Sequence, residues 1–161
     1  VTGGGISNRL WIFGPSGSLH YSQDKVFLTE FERSLLRLRP GDLDRVKPVD
    51  IAGVTARFTV CRDTYFEDWE LEFRDVDVWI ELRANGEPYT PAVRARFLGG
   101  LTERVTRTGV NLGLSATLNG RYLGLLWEGP SYAVRPGGKR VVEASDVDDE
   151  SIVVVDVAIP Q

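Results

Sequence analysis

Cys61 is the only cysteine among the 161 residues, and it ends a strongly alternating run in residues 53–70, GVTARFTVCRDTYFEDWE. Val54, Ala56, Phe58 and Val60 fall on one face of a strand of period two, and Thr55, Arg57, Thr59 and Cys61 fall on the other. From Asp63 the spacing changes. Tyr65, Phe66, Trp69 and Phe73 recur three and four apart with acids between them, which predicts a helix. A thiol at such a strand-to-helix turn is lifted clear of the sheet, and the first free N–H groups of the helix favour a thiolate and receive a developing oxyanion. That arrangement mounts a nucleophile. The same residues also suit a buried structural thiol, the commoner fate of a lone cysteine.

Lys25 is a second group with chemical potential. It sits in QDKVFLTEFER, where Val26, Phe27, Leu28 and Phe31 are apolar enough to hold the segment against a core. Taken alone, a lysine there either lies in a pocket or is solvated at the surface. Other chemistries find less support. One histidine and one cysteine offer no ligand pairs at a recognisable spacing, so a metal is not expected, and His20 reads as a strand surface residue. The net charge is −4, without a basic cluster, which argues against nucleic acid as a partner. No apolar run approaches the ~20 residues of a membrane span, and the first residues lack a charged stretch followed by an apolar core. A single cysteine forms no intramolecular disulfide, which fits a reducing, cytoplasmic setting.

The elements around these residues read as α/β layers with added hairpins. The opening VTGGGISN lacks an initiator Met and runs a glycine cluster into apolar residues 10–13, as the interior of a longer chain would. Residues 10–13, the turn Gly14-Pro15-Ser16-Gly17 and residues 18–22 predict a hairpin. Residues 33–47 read as an irregular or briefly helical excursion. Residues 76–82 predict a strand, 84–88 a turn, and 91–107 a helix with Pro91 in its first turn and Gly109 as its stop. A strand over 110–117, a tight turn at Asn119-Gly120 and a strand or extended segment over 121–127 follow. Segments 131–135 and 139–144 flank the turn 136–138. An acidic loop over 146–150 leads to a last strand in SIVVVDVAI, residues 151–159. No repeat or linker divides the chain, so one domain over 1–161 is expected, with 42% hydrophobic and 26% charged residues in globular proportion.

Four stretches, in this order, resemble the second half of a carbon–nitrogen hydrolase of the nitrilase superfamily. FGPSGSL is similar to the hairpin "F-x-P-x-G-x-L" ahead of the catalytic lysine of that family, and DKVFLTEFE to the lysine motif, matching Lys25. VCRDTYFEDW is similar to the nucleophile motif "C-Y-D-x-x-F-P-E", matching Cys61. RVTRTGVNLGLSATLNG with GPSYAVRPGGKRV is similar to the helix and strand ending in "A-N" and the following "G-x-S-x-I-x-P-x-G". The resemblance implies part of a four-layer α-β-β-α sandwich with a Glu–Lys–Cys triad and no cofactor. Cys61 would form a thioester or thioimidate with an amide, carbamoyl or nitrile substrate. Lys25 would place positive charge beside the thiolate and oxyanion, and the backbone N–H of Arg62 would be a second oxyanion donor. Glu32 matches a second glutamate that orients the lysine and substrate, and Asp63 would hold the turn.

The departures from the pattern are specific. Arg62 stands for a more usual aromatic, Glu67-Asp68 for Pro-Glu, and Glu30 for proline. The triad's general-base glutamate belongs to an early strand–helix unit that should precede Val1, so it is expected from a missing N-terminal portion or a partner chain. The family also implies a homo-oligomer. Two other activities fit parts of the pattern. DKVFLTEFE also resembles the lysine segment of apolipoprotein N-acyltransferases, and a degenerate domain kept for binding or assembly would tolerate the polar residues after Cys61.

Overall fold

The computed structural model describes residues 5–122, 124–144, 154, 156 and 158. Its contacts group into two compact units, Val1–Val49 and Asp50–Gln161.

In the first unit, β1 (Arg9–Phe13) and β2 (Leu19–Asp24) form the expected antiparallel hairpin. Its turn closes through Gly14 N–H donating to Ser18 O and Gly17 N–H donating to Gly14 O, both at 2.9 Å. Gly17 takes a φ of 78°, which costs glycine nothing. At the open end, Arg9 grips Asp24 with two bonds of 2.6 and 2.9 Å. The chain then makes a single π turn over Phe31–Leu35 and a 3₁₀ turn over Leu43–Arg45, which accounts for the irregular excursion expected there.

The second unit is built on a six-stranded mixed sheet. Its strands are β3 (Val49–Ile51), β4 (Val54–Val60), β5 (Val78–Ala84), β6 (Leu112–Leu118), β9 (Tyr132–Val134) and β10 (Arg140–Glu143), in the order β10-β9-β6-β5-β4-β3. β4, β5 and β6 are parallel, and β9 and β10 add antiparallel strands beside β6. Parallel neighbours need crossovers, and the longer one is α2 (Pro91–Thr108). Its ends are those the sequence marks. Thr90 Oγ1 accepts from Val93 N–H at 3.2 Å, Pro91 opens the helix, and Gly109 ends it at a left-handed φ of 75°. Val93, Phe97, Leu101 and Val105, each four apart, are all buried.

Helix and sheet meet closely at Gly113 on β6. A Cβ there would come within 2.6 Å of Val105 Cγ2 and 3.1 Å of Leu101 Cγ and Val134 Cγ1. Gly113→Ala is therefore expected to destabilise the fold by about 1–3 kcal/mol through overpacking. Urea denaturation reads this directly, and an unchanged midpoint would contradict the close approach.

Two expectations need correction. The helix expected from Asp63 is broken into a 3₁₀ turn over Cys61–Tyr65 and a short α1 over Asp68–Glu72. Phe66, extended at φ −99° and ψ 133°, separates them. The break lets Trp69 and Phe73 turn fully into the core, where Phe73 stacks on Trp79 with ring centroids 3.9 Å apart. The single strand or extended segment expected over 121–127 is instead two strands, β7 (Gly120–Tyr122) and β8 (Leu125–Trp127), paired as a hairpin. The chain reverses at Gly124, φ 77°, so the hairpin turn lies there and not at Asn119-Gly120. The acidic loop over 146–150 and the strand expected over 151–159 lie outside the described residues, save positions 154, 156 and 158. Among the described residues, no helix is long and apolar enough to cross a membrane.

Candidate active site

Cys61 follows the last residue of β4, at the carboxyl end of the parallel strands, where open α/β sheets place their ligands. Its backbone is left-handed, with φ 54°. A non-glycine side chain there is strained by about 1–2 kcal/mol, so the surroundings must hold it. They do so from three sides. Asp63, fully buried, accepts from Val60 N–H through Oδ2 at 3.3 Å and ties the turn back to the strand, the structural part expected of it. The Thr59 and Thr64 hydroxyls meet at 2.8 Å, and Trp79 Nε1 donates to Thr59 Oγ1 at 2.9 Å. From α2, Arg104 donates through Nε to Thr64 O at 3.2 Å and through Nη2 to Tyr65 O at 2.9 Å. The Cys61 thiol is free and half-buried, and its Sγ lies 3.6 Å from Ala84 O at the end of β5. Arg62 is the second residue of the turn, and its guanidinium covers the Phe66 ring at 5.4 Å.

Lys25 and Glu32 belong to the first unit, and the structure brings them together. Lys25 is only 2% exposed. Its Nζ donates to Glu32 Oε1 at 2.9 Å and to Oε2 at 2.7 Å. Glu32 also accepts from Asn8 Nδ2 at 3.0 Å, Thr29 N–H at 2.8 Å and Thr29 Oγ1 at 3.0 Å. Burial pushes the Glu32 carboxyl upward, but the hydrogen bonds from Lys25, Thr29 and Asn8 outweigh it and hold the group below the ordinary glutamate value. The lysine backbone is equally fixed: Lys25 N–H donates to Asn8 O, and Lys25 O accepts from Gly41 N–H, both at 2.8 Å. A Cβ on Gly41 would approach Asp24 O to 2.5 Å, so that crossing admits no side chain. Glu30, in the usual place of proline, has φ −60°, a value proline itself adopts, and the departure leaves the local backbone undistorted.

Beneath the cysteine turn lies a buried charge pair that the sequence reading missed. Arg83 Nη2 donates to Glu81 Oε1 at 2.5 Å, and Ser115 Oγ donates to Glu81 Oε2 at 2.9 Å. Burial works against the Arg83 cation, but Glu81 and its neighbours outweigh it and keep Arg83 above the ordinary arginine value. The guanidinium lies 4.3 Å from the Phe97 ring centroid and 5.8 Å from that of Tyr65. The only sequence signal was polar residues two apart on a strand beside Trp79. His20 is exposed on β2, as expected. Among the described residues, no group of three His, Cys, Asp or Glu is placed to hold a metal ion.

No protein-family profile and no curated protein matches the sequence. Solved structures do match it in fold. Saccharomyces cerevisiae Nit3, a nitrilase superfamily member, aligns with a TM-score of 0.73 and 22% identity over 90% of this chain and 51% of its own. A CN-hydrolase superfamily protein from Xanthomonas campestris, with an arsenic adduct in its active site, aligns with a TM-score of 0.73 and 20% identity over 90% and 55%. An amidase variant from Nesterenkonia sp. AN1, carrying the acetamide moiety of fluoroacetamide on its active-site cysteine, aligns with a TM-score of 0.69 and 21% identity over 86% and 51%. The fold is that of the carbon–nitrogen hydrolases of the nitrilase superfamily. The chain spans about half the length of these structures.

Proposed function

We propose that this chain is the lysine- and cysteine-bearing portion of a carbon–nitrogen hydrolase, acting on a non-peptide amide, carbamoyl or nitrile group through an acyl-enzyme on Cys61. The observation that carries this reading is the left-handed backbone of Cys61 at the carboxyl end of a parallel strand, held by Asp63 and Arg104. Strain of this kind persists where function needs a side chain aimed out of a turn. In the reaction, the Cys61 sulfur adds to the carbonyl carbon, the C–N bond breaks, and the amine or ammonia leaves with a proton. Water then adds to the thioester, releasing the acid and returning the thiol. Lys25, charged and buried on Glu32, serves the oxyanion, with the Arg62 backbone N–H as a further donor. Glu32 positions Lys25.

The general base is a glutamate supplied by the remaining portion of the fold or by a partner chain, and lacking it would cost about 10²–10⁴ in rate. The two sheet faces support such a complement. Under α2, even Glu81, Arg83 and Ser115 are buried, whereas on the opposite, apolar face Ala56, Phe58, Val60, Val78 and Leu112 are buried but Ile80, Leu82 and Leu114 are half-buried and Ala116 and Leu118 are exposed. Trp11, Phe13 and Leu19 of the first hairpin are also more than half exposed. Apolar surface of this extent is what a further layer or a second subunit buries. The two units are parts of one hydrolase domain, and a reducing cytoplasm suits its lone thiol.

Rapid quenching of the full-length protein during turnover of a short aliphatic amide, followed by peptide mass analysis, tests this reading. The acyl group is expected on the peptide holding Cys61. Turnover with acyl groups found only elsewhere would overturn it.

A further inference from the structure

Asn8 meets the lysine centre at two points. Its carbonyl accepts from Lys25 N–H at 2.8 Å, and its side-chain Nδ2 donates to Glu32 Oε1 at 3.0 Å. Only the amide nitrogen can face a carboxylate in this way, which fixes the orientation of the Asn8 side chain. Its neighbours grip the residue before the lysine. Ser7 Oγ donates to Asp24 Oδ1 at 2.8 Å, and Arg9 holds both oxygens of the same carboxylate. As the chain leads into β1, successive side chains point to opposite sides, so Ser7 and Arg9 turn to Asp24 while Asn8 turns to Glu32.

The Glu32 carboxylate is saturated. Oε1 receives Lys25 Nζ and Asn8 Nδ2, and Oε2 receives Lys25 Nζ, Thr29 N–H and Thr29 Oγ1, against the roughly four lone-pair sites a carboxylate offers. The Thr29 contacts are local, for Glu32 N–H returns to Thr29 Oγ1 at 3.2 Å and the reciprocal pair closes the turn by itself. Asn8, 24 residues away in sequence, ties the carboxylate to the hairpin that carries Lys25. An ammonium has three N–H bonds, and two of those on Lys25 go to Glu32. The direction of the third therefore follows the rotation of the Glu32 carboxylate.

We propose that Asn8 is a positioning residue: by holding Glu32 Oε1 it fixes Lys25 Nζ so that the remaining N–H is aimed at the oxyanion. The inference rests on the hydrolase reading of Lys25 and Cys61 and adds the group that preorganises the lysine. Steady-state hydrolysis of propionamide by the full-length protein, with urea denaturation of the same variants, is the test. Asn8→Ala is expected to lower kcat by about 10- to 100-fold and to leave KM within about threefold, because the loss falls on the transition state. Asn8→Asp, nearly identical in shape, should be lower again by about tenfold, since a second carboxylate beside Glu32 competes for Lys25. A packing role would reverse that order and make the isosteric variant the milder one. Asn8→Ala should also lower the urea midpoint of the wild type but not that of the Lys25→Met, Glu32→Leu double variant, which has no carboxylate for the amide to hold. A kcat for Asn8→Ala within about twofold of wild type, or aspartate milder than alanine, would overturn the proposal and leave the hydrolase standing. Equal midpoint shifts in the two backgrounds would overturn the contact itself. A wild type that leaves propionamide intact while the midpoint shifts still depend on background would remove the hydrolase reading and reduce Asn8 to a structural support of the ion pair.

Discussion

Exchanging Glu32 for glutamine is expected to destabilise the fold by about 3–5 kcal/mol, the effect of removing one partner from a buried ion pair. Lys25 is almost inaccessible to water, and both its described side-chain bonds go to Glu32. Glutamine retains one acceptor oxygen but loses the charge, and its amide nitrogen is set against the donors of Lys25, Thr29 or Asn8. Urea denaturation at neutral pH measures the loss. A value below about 1 kcal/mol, as for an exposed pair, would contradict the burial of the ammonium. The pH dependence has a definite sign. Glu32 has a folded value below its unfolded one, so its stabilisation is complete above the ordinary glutamate pKa of about 4.3 and is lost as pH falls through the lower folded value. Glu32→Gln should therefore flatten the acid limb of the stability curve. The double change Lys25→Met with Glu32→Leu should recover part of the stability, because it removes both charges, but no turnover.

Cys61→Ala and Cys61→Gly are both expected to lower turnover of the full-length protein by about 10⁴-fold or more, as for loss of a covalent nucleophile. Their stabilities should separate. Position 61 has φ 54°, which glycine adopts freely and alanine does not. Cys61→Gly should accordingly be the more stable of the two by about 1 kcal/mol. Activity within tenfold of wild type in either variant would remove Cys61 from the mechanism. A glycine variant less stable than the alanine variant would mean that the backbone is not held at positive φ. The paired measurement separates chemical from conformational demands at one position.

The buried pair of Glu81 and Arg83 gives the cysteine turn a polar foundation. Two polar residues alternating with Trp79 along β5 ordinarily mark the solvent side of a strand. Here that side lies under α2, with Arg83 against the Phe97 ring, and Ala84, the residue after Arg83, carries the carbonyl that meets Cys61 Sγ. β5 thus links the charge pair to the Cys61 thiol through one strand.

Local rules carry much of this molecule. The hairpin turn at residues 14–17, the Pro91 start of α2, its four-residue apolar spacing and its Gly109 stop all follow from preferences within a few residues, so they were legible in the chain itself. The strand ending at Cys61 was legible for the same reason, and so was the order of the motifs around Lys25 and Cys61. The resemblance also pointed to Glu32 beside Lys25, but their bond depends on burial and on the π turn that returns the carboxylate seven residues later. Other features were settled only by packing. Phe66 breaks a pattern that reads as one helix, because full burial of Trp69 and Phe73 outweighs continuity of the helix. Gly124 takes the reversal that Asn119-Gly120 was expected to make. The clamp of Arg104 on Thr64 and Tyr65 spans some forty residues, and the face of β5 that lies under α2 is chosen by the crossover. Spacing along the chain reports local backbone preference, whereas the partner a side chain meets across the sheet is decided by how the layers pack.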